Sequence, residues 1–485
     1  MLFPTLFFLL LGCLFSWLII HMCLVANIGK GSEALQHHHS HTGIVPRIGG
    51  LGIILGFGLT YILCFVFLDY ENIKSPVYYG IFSCALASFF LGLIDDFRPL
   101  GAKLKLFAQI AIALLACSCG LSVDMFVIPF TDIQVNLGIF GSIITIFWIV
   151  SMMNIINLID GLDGLAGGIG LMLMVLLAYL AFESNIVISY ILALGMVGAI
   201  TGFLFHNFPP AKAYLGDSGA YLIGFVIASL SLLNSEKGAV LAALIAPMLA
   251  LALPIADVAY AIIRRAIRGL PLFRPDQEHI HHKFLQAGHS RQRTVLFLYA
   301  ISLLALVGGL LAFAYQGRYL PIFMGFTSLA ALFAFRSQKI TLLGMRNELN
   351  ETLQVRQDSR TAIYLRDWFL LETERADSGS NLWEDYRFIL KKMGICRAEL
   401  SIGDIKRTFS LSDSTSDDLE RMWHAKHSIG GQVDLHLYAD REKFTENHFA
   451  LIADISAEAW SKASLRWNEV NDCPLDFESE ARVTT

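Results

Sequence analysis

Asn154, Asn157, Asp160 and Asp163 stand three residues apart in the stretch NIINLIDGLDGLAGG, with long apolar runs on both sides. Acids and amides placed so close to hydrocarbon are costly, and they face a cavity or a partner more often than lipid. Steps of three along an α-helix drift by about 60° each, so one continuous helix would carry the four side chains around its axis. Gly161, Gly164, Gly167 and Gly168 predict that regular helix gives way here, lets backbone approach a ligand and turns the polar side chains into one cavity. The stretch is not a phosphate-cradling P-loop, because it lacks the G-K-[ST] ending.

Four further polar clusters interrupt the apolar runs: HHHSHTGIVPRIGGLG from His37, LIDDFRPLGAKLK from Leu93, HNFPPAKAYLGDSGAYLIG from His206 and RPDQEHIHHKFLQAGHSRQR from Arg274. Each has a plainer reading. Asp217 ahead of an apolar run could be only a helix N-cap, Asp95 and Asp96 could lie in a solvated loop, and the first histidine run could hold a metal adventitiously. His279, His281 and His282 follow a run of arginines, and imidazoles beside guanidiniums suit an anionic phosphate better than a cation. Acids bind a hard cation such as Mg2+ through oxygen. With bases for phosphate, and with no nucleophilic Ser or Cys evident, the set fits phosphoryl transfer, where metal and positive side chains spread the developing charge.

The elements that must position these residues are transmembrane helices. The chain has 485 residues, 55% of them hydrophobic, and a mean hydropathy of +0.57, too apolar for an ordinary soluble enzyme. About eleven runs are long enough to cross roughly 30 Å of hydrocarbon; their approximate extents are 3–25, 48–70, 76–94, 104–122, 138–157, 164–183, 186–205, 218–234, 239–263, 294–315 and 318–335. The first lacks the basic start and cleavage site of a signal peptide and reads as a retained helix. The eight cysteines are scattered and suggest neither a disulfide framework nor a zinc site. Counting Lys and Arg in alternate loops puts the N-terminus outside and the basic loops in the cytoplasm. All five polar clusters then fall on the cytoplasmic face. That clustering of acids, amides and histidines is independent of the Lys and Arg counts that set the topology.

Beyond about Lys339 the apolar runs stop. The fold class predicted is an all-α polytopic membrane protein with a small C-terminal α+β cytoplasmic domain. Its parts are a core over 1–336, a helical linker over 337–380, a soluble α+β domain over 381–470 and a disordered tail over 471–485. RAELSIGD, RTFSLSD and QVDLHLYAD alternate as half-buried strands do, the SGS at Ser378 reads as a break, and NHFALIADISAEAWSKASLRW returns to a helical period. The order of elements is weakly similar to GAF-like sensor folds, and a partner-binding or regulatory role is the plainer expectation.

The DD pair, NxxNxxDGLDG, GDSG and HIHH occur in an order that resembles the polyprenyl-phosphate N-acetylhexosamine-1-phosphate transferases, glycosyltransferase family 4. The resemblance covers roughly residues 1–336. HIHH in place of HHHFE makes it closer to the WecA/TagO-like branch than to MraY. It implies that undecaprenyl phosphate attacks the β-phosphorus of a UDP-N-acetylhexosamine, most simply UDP-GlcNAc, and releases UMP at the cytoplasmic face of the bacterial inner membrane, starting a cell-surface polysaccharide. By similarity, Asp217 would ligate Mg2+ (or Mn2+) with Asn157 as a second ligand. Asp95 and Asp96 would sit by the lipid phosphate, Asp95 orienting or deprotonating it, and Lys103 would pair with phosphate. Asp160, Asp163, Asn154 and Asn207 would hold nucleotide and sugar, and His279, His281, His282 and Arg265 would contact the donor. The resemblance leaves open direct attack by the lipid or a covalent aspartyl intermediate. It also implies a homodimer as common in the family, the lipid bilayer as a partner, and no nucleic acid. A transporter, or a receptor with the C-terminal region as output domain, is the competing reading. A transporter would want acids near mid-span, where only Asp257 comes close.

Overall fold

The computed structural model describes residues 2–28, 45–67, 75–123, 125–127, 134–234, 290–314, 342–376, 378–402, 405–411, 422–429 and 433–471, with isolated residues at 248, 251, 255 and 288. Apolar sequence of membrane-spanning length becomes helix because helix alone satisfies every backbone group within one segment. The helices are α1 (Leu2–Val25), α2 (Gly49–Phe67), α3 (Pro76–Phe97), α4 (Ala102–Ser118), α5 (Ile139–Ile159), α6 (Leu165–Glu183), α7 (Val187–Asn207), α8 (Gly216–Asn234) and α9 (Arg291–Ala314). Eight of them are long and apolar enough to cross a membrane; α4, at 17 residues, is the exception. Nine of the eleven runs expected from sequence therefore coincide with described helices. The run over 318–335, and nearly all of that over 239–263, lies outside the described residues. A short antiparallel hairpin of β1 (Met125–Val127) and β2 (Gln134–Asn136) separates α4 from α5.

At the centre of this first unit stands α8. It packs against α2, α3, α5 and α6, and every one of its residues except Asp217 is buried. Burial this complete removes water as a partner, so its polar side chains bond across helices. Trp148 Nε1 donates to Ser231 Oγ at 2.8 Å, Ser189 Oγ donates to Asn234 Oδ1 at 2.8 Å, and Asn234 Nδ2 donates to Leu177 O at 3.0 Å. α1 behaves in the opposite way. Leu6, Leu10, Leu14, Leu18 and Met22 recur every fourth residue along one exposed stripe, as a lipid-facing edge requires. Helices α3, α5 and α7 finish, and α4, α6, α8 and α9 begin, at the end of the bundle where the polar clusters lie.

The second unit follows Ser337. It consists of α10 (Leu342–Thr373), α11 (Gly379–Lys392), strands β3 (Arg397–Ile402), β4 (Ile405–Ser410), β5 (Met422–Ile429) and β6 (Val433–Asp440), and α12 (Glu446–Asn471). The break expected at the SGS stretch is the start of α11, where Ser378 Oγ accepts the Asn381 N–H at 3.2 Å. The sheet is antiparallel throughout, in the order β4-β3-β6-β5. Its inner face carries Ala398, Leu400, Phe409, Leu435, Leu437 and Ala439, and the core is completed by Phe369, Tyr386, Trp383 and Trp460. β5 escapes the sequence reading because it is an edge strand: exposed His424, Lys426 and Ser428 alternate with the merely half-buried Trp423, Ala425 and His427, so the periodic contrast is weak. The tail expected to be disordered lies, from residue 472 on, outside the described residues.

Candidate functional site

Asp95 and Asp96 occupy the last turn of α3 and are buried, so the solvated-loop reading does not hold. Carboxylates at a helix C-terminus oppose the macrodipole, and burial adds to the cost. Three other elements offset it. Both Asp96 oxygens accept backbone N–H groups from the start of α8: Oδ1 from Asp217 at 3.0 Å and Oδ2 from Ser218 at 3.1 Å. Arg47 Nη1 lies 3.3 Å from Asp96 Oδ1. Asp96 thus caps α8 from another helix, satisfying donors that a helix start leaves without partners.

Asp217 is consequently not the N-cap of its own helix. Its carboxylate faces Lys105, whose Nζ is 3.5 Å from Asp217 Oδ2 and forms a closer ion pair with Asp95 Oδ2. Asp95 Oδ1 accepts the Leu100 N–H at 2.7 Å, which turns the chain from α3 into α4. Lys103, the lysine the resemblance assigns to phosphate, is exposed and makes no ion pair among the described residues. Lys105 faces the acids instead, because two residues along the first turn of α4 is about 200° around the axis.

Close approach of α3 to α8 depends on Gly92, one turn before Asp96. A methyl group there would overlap the Asp217 carbonyl and the Ser218 Cα. The neighbours are backbone and cannot swing away. Gly92→Ala is therefore expected to lower the thermal midpoint by several degrees by lengthening both bonds to Asp96, as a thermal melt in detergent would show; an unchanged midpoint would mean the joint tolerates separation.

The opening stretch divides as its glycines predict. α5 ends at Ile159, Asp160 is its C-cap, Asp163 lies in the connection, and Gly164 adopts the left-handed conformation (φ 81°) that starts α6. Asp163 is buried; its Oδ2 accepts the Ala211 N–H at 3.2 Å and lies 4.0 Å from Arg291 Nη1. Asp160 is half-buried, and its pKa is pushed up to about 7, first by burial and then by the carboxylates of Asp96 and Asp163, with Arg47 pulling the other way. Burial likewise raises the Tyr214 hydroxyl, with Asp163 adding to it.

The amides serve differently from the expectation. Asn154 turns away from the acids and pairs with Gln109 of α4, donating through Nδ2 at 2.7 Å, and it donates to Val150 O as well. Asn207 is a staple: its Oδ1 accepts the Gly164 N–H at 2.9 Å and its Nδ2 donates to Ala213 O at 2.8 Å. Asn157 does reach the site, with Nδ2 3.5 Å from the Tyr221 hydroxyl. Arg265, His279, His281 and His282, like Asp257 and the histidine run from His37, lie outside the described residues.

Sequence reasoning assigned no site role to Arg47, Lys105, Tyr221 or Arg291. Arg47 had a signal in the PRIGG stretch. Backbone bonds from Gly49 and Gly50 to Tyr214 and Leu215, and from Tyr214 to Pro46, lay that segment alongside the start of α8 and so carry Arg47 to Asp96.

Among the described residues the cluster gathers five acids, Asp95, Asp96, Asp160, Asp163 and Asp217, against three bases, Arg47, Lys105 and Arg291. A surplus of acids suits a divalent cation, and oxygen donors are those a hard cation takes. No three of the described His, Cys, Asp and Glu residues already stand together as a metal cage. The donor set fits a cation shared with phosphate oxygens, as magnesium commonly is, better than one held by protein alone.

A multi-pass helical bundle that gathers carboxylates and bases at one end suits a membrane-embedded site for a phosphate-bearing substrate. The sequence profile of glycosyl transferase family 4 matches residues 78–235. The chain is 35% identical over 261 residues to the probable undecaprenyl-phosphate N-acetylglucosaminyl 1-phosphate transferase of Bacillus subtilis (strain 168), covering 54% of this chain and 71% of that protein. It is 30% identical to the undecaprenyl-phosphate alpha-N-acetylglucosaminyl 1-phosphate transferase of Yersinia pestis (56% and 74% covered) and 33% identical to the decaprenyl-phosphate N-acetylglucosaminephosphotransferase of Mycobacterium leprae (strain TN) (57% and 76%). The chain belongs to the polyprenyl-phosphate N-acetylglucosamine-1-phosphate transferase family.

Proposed function

We propose that the protein transfers GlcNAc-1-phosphate from UDP-GlcNAc to undecaprenyl phosphate. An oxygen of the lipid phosphate attacks the β-phosphorus, the bond from that phosphorus to the bridging oxygen breaks, and UMP leaves with the electron pair. The observation that carries this reading is the bridge of Lys105 between Asp95 and Asp217 beside the capped start of α8. One cation beside two carboxylates suits the meeting of two phosphates, in a chain whose relatives are named for this transfer.

The roles follow from the chemistry of each group. Asp217, the least enclosed residue of its helix, and Asn157 would hold Mg2+, which when bound spreads the charge that develops on the transferred phosphate. Asp95 orients the lipid phosphate. Lys105 pairs with Asp95 and Asp217 and is free to exchange that pairing for phosphate oxygens. Asp160, whose pKa burial and then the nearby carboxylates push up to about 7, would ionise more fully with a cation beside it. Arg265, His279, His281 and His282 are assigned to the donor diphosphate and sugar. With about eleven spans, the Lys and Arg counts of alternate loops favour the cytoplasmic face of the inner membrane for this end of the bundle. The product starts a cell-surface polysaccharide, the chain works as a homodimer, and the GAF-like C-terminal domain is regulatory.

Purified protein in nanodiscs is expected to release UMP from UDP-GlcNAc only when undecaprenyl phosphate and Mg2+ are both present, with chromatography of the nucleotide products as the measurement. Release without the lipid would contradict the reading. Asp217→Asn at full activity would remove the metal assignment.

A further inference from the structure

The geometry points to Tyr299 of α9 as a positioning residue that sets the Asp160–Asp163 turn for transfer; this rests on the function proposed above. The turn ends at Gly164, and both polar atoms of that residue are held. Its N–H goes to Asn207, and its carbonyl accepts the Tyr299 hydroxyl. The Tyr299 ring lies where a side chain on Gly168 would project, so the first turn of α6 is packed directly against the phenol. A left-handed residue at a helix start has few ways to be fixed, and here the grip comes from a helix more than 130 residues away in sequence.

The same helix holds the facing loop. Gln292 lies seven residues before Tyr299, on the same side of α9, and its Nε2 donates to Pro209 O at 2.8 Å. Arg291 faces Asp163, which accepts the Ala211 N–H from that loop. One face of α9 therefore ties the connection that carries Asp163 and Gly164 to the loop that follows Asn207. Among the described residues the hydroxyl of Tyr299 bonds to backbone and to no acid. Its effect runs through the backbone: loosening the Gly164 carbonyl lets Asp160 and Asp163 turn, and small misplacements at a phosphoryl-transfer site reduce rate more than binding.

Tyr299→Phe keeps the ring and removes only the donated bond. We expect it to lower kcat about tenfold, with KM for UDP-GlcNAc within about threefold of the parent, the size of effect one hydrogen bond to a positioning loop supports. In the full-length protein, hydrogen exchange of the 160–168 amides should quicken while that of α8 stays unchanged. This readout needs no turnover, so failure of the proposed reaction and failure of the positioning role are separable. Gly168→Ala, which displaces the phenol without removing it, should reproduce both effects and decides the matter if the first variant does not fold. Tyr299→Phe with parental kcat and parental exchange would overturn the proposal. So would a variant that melts earlier yet keeps parental kcat per folded molecule, because the tyrosine would then be structural only.

Discussion

Lys105→Met is expected to reduce the transfer rate by a hundredfold or more, while Lys103→Met, two residues away, stays within about threefold of the parent. The contrast comes from what each ammonium touches. Lys105 lies against Asp95, whose side chain is 3% exposed, and within 3.5 Å of Asp217; Lys103 is exposed. Removing one preorganised group aimed at charge that develops in the transition state typically raises the barrier by about 2.7–4 kcal/mol. Lys105 is itself 27% exposed, so water screens part of that effect. About 3 kcal/mol, at 1.36 kcal/mol per factor of ten, is roughly a hundredfold. Initial rates of UMP release would measure it, beside a thermal melt to show that both variants fold. Equal losses from the two lysines would mean that Lys105 has no special place between the carboxylates.

Asp96→Asn is the second large effect, expected at about a thousandfold in rate together with a lower thermal midpoint. An amide has one acceptor oxygen where the carboxylate has two. Its NH2 would then meet either the Ser218 N–H or the Arg47 guanidinium, donor against donor, in a place with little water. The start of α8 loosens, and Asp217 moves with it. Because Arg47 and Asp96 belong to one network, Arg47→Gln alone should be milder, and adding it to Asp96→Asn should cost less than twofold more. Full additivity would show that Arg47 acts on something other than Asp96.

Much of this arrangement is legible in the sequence. Apolar length gave the helices, since the bilayer leaves the backbone almost no alternative. The glycines of the opening stretch announced the break between α5 and α6. Sequence did not show which of two nearby lysines faces inward, because 103 and 105 are both plausible until the helix is docked. Nor did it show that Asn154 and Asn207 spend their hydrogen bonds on protein. Amides are equally good as ligands and as staples, and only the identity of the group opposite, Gln109 or Gly164, tells the two uses apart. β5 was missed for a related reason: an edge strand with a half-polar inner side leaves a faint alternation.

The cap that Asp96 places on α8 also bears on how the protein is made. Asp96 leaves the ribosome about 120 residues before its partners Asp217 and Ser218. During that interval α3 carries two carboxylates at its end with no amides from α8 to receive them, and only Arg47 and Lys105 have been synthesised to offset the charge. Without α8 that polar end has water or lipid headgroups as its partners; with α8 the backbone N–H groups of its first turn take their place at Asp96. The start of α8 brings in GDSG and the cap on Asp96, so a chain truncated before it keeps the DD pair and the NxxNxxDGLDG stretch without the joint of α3 to α8.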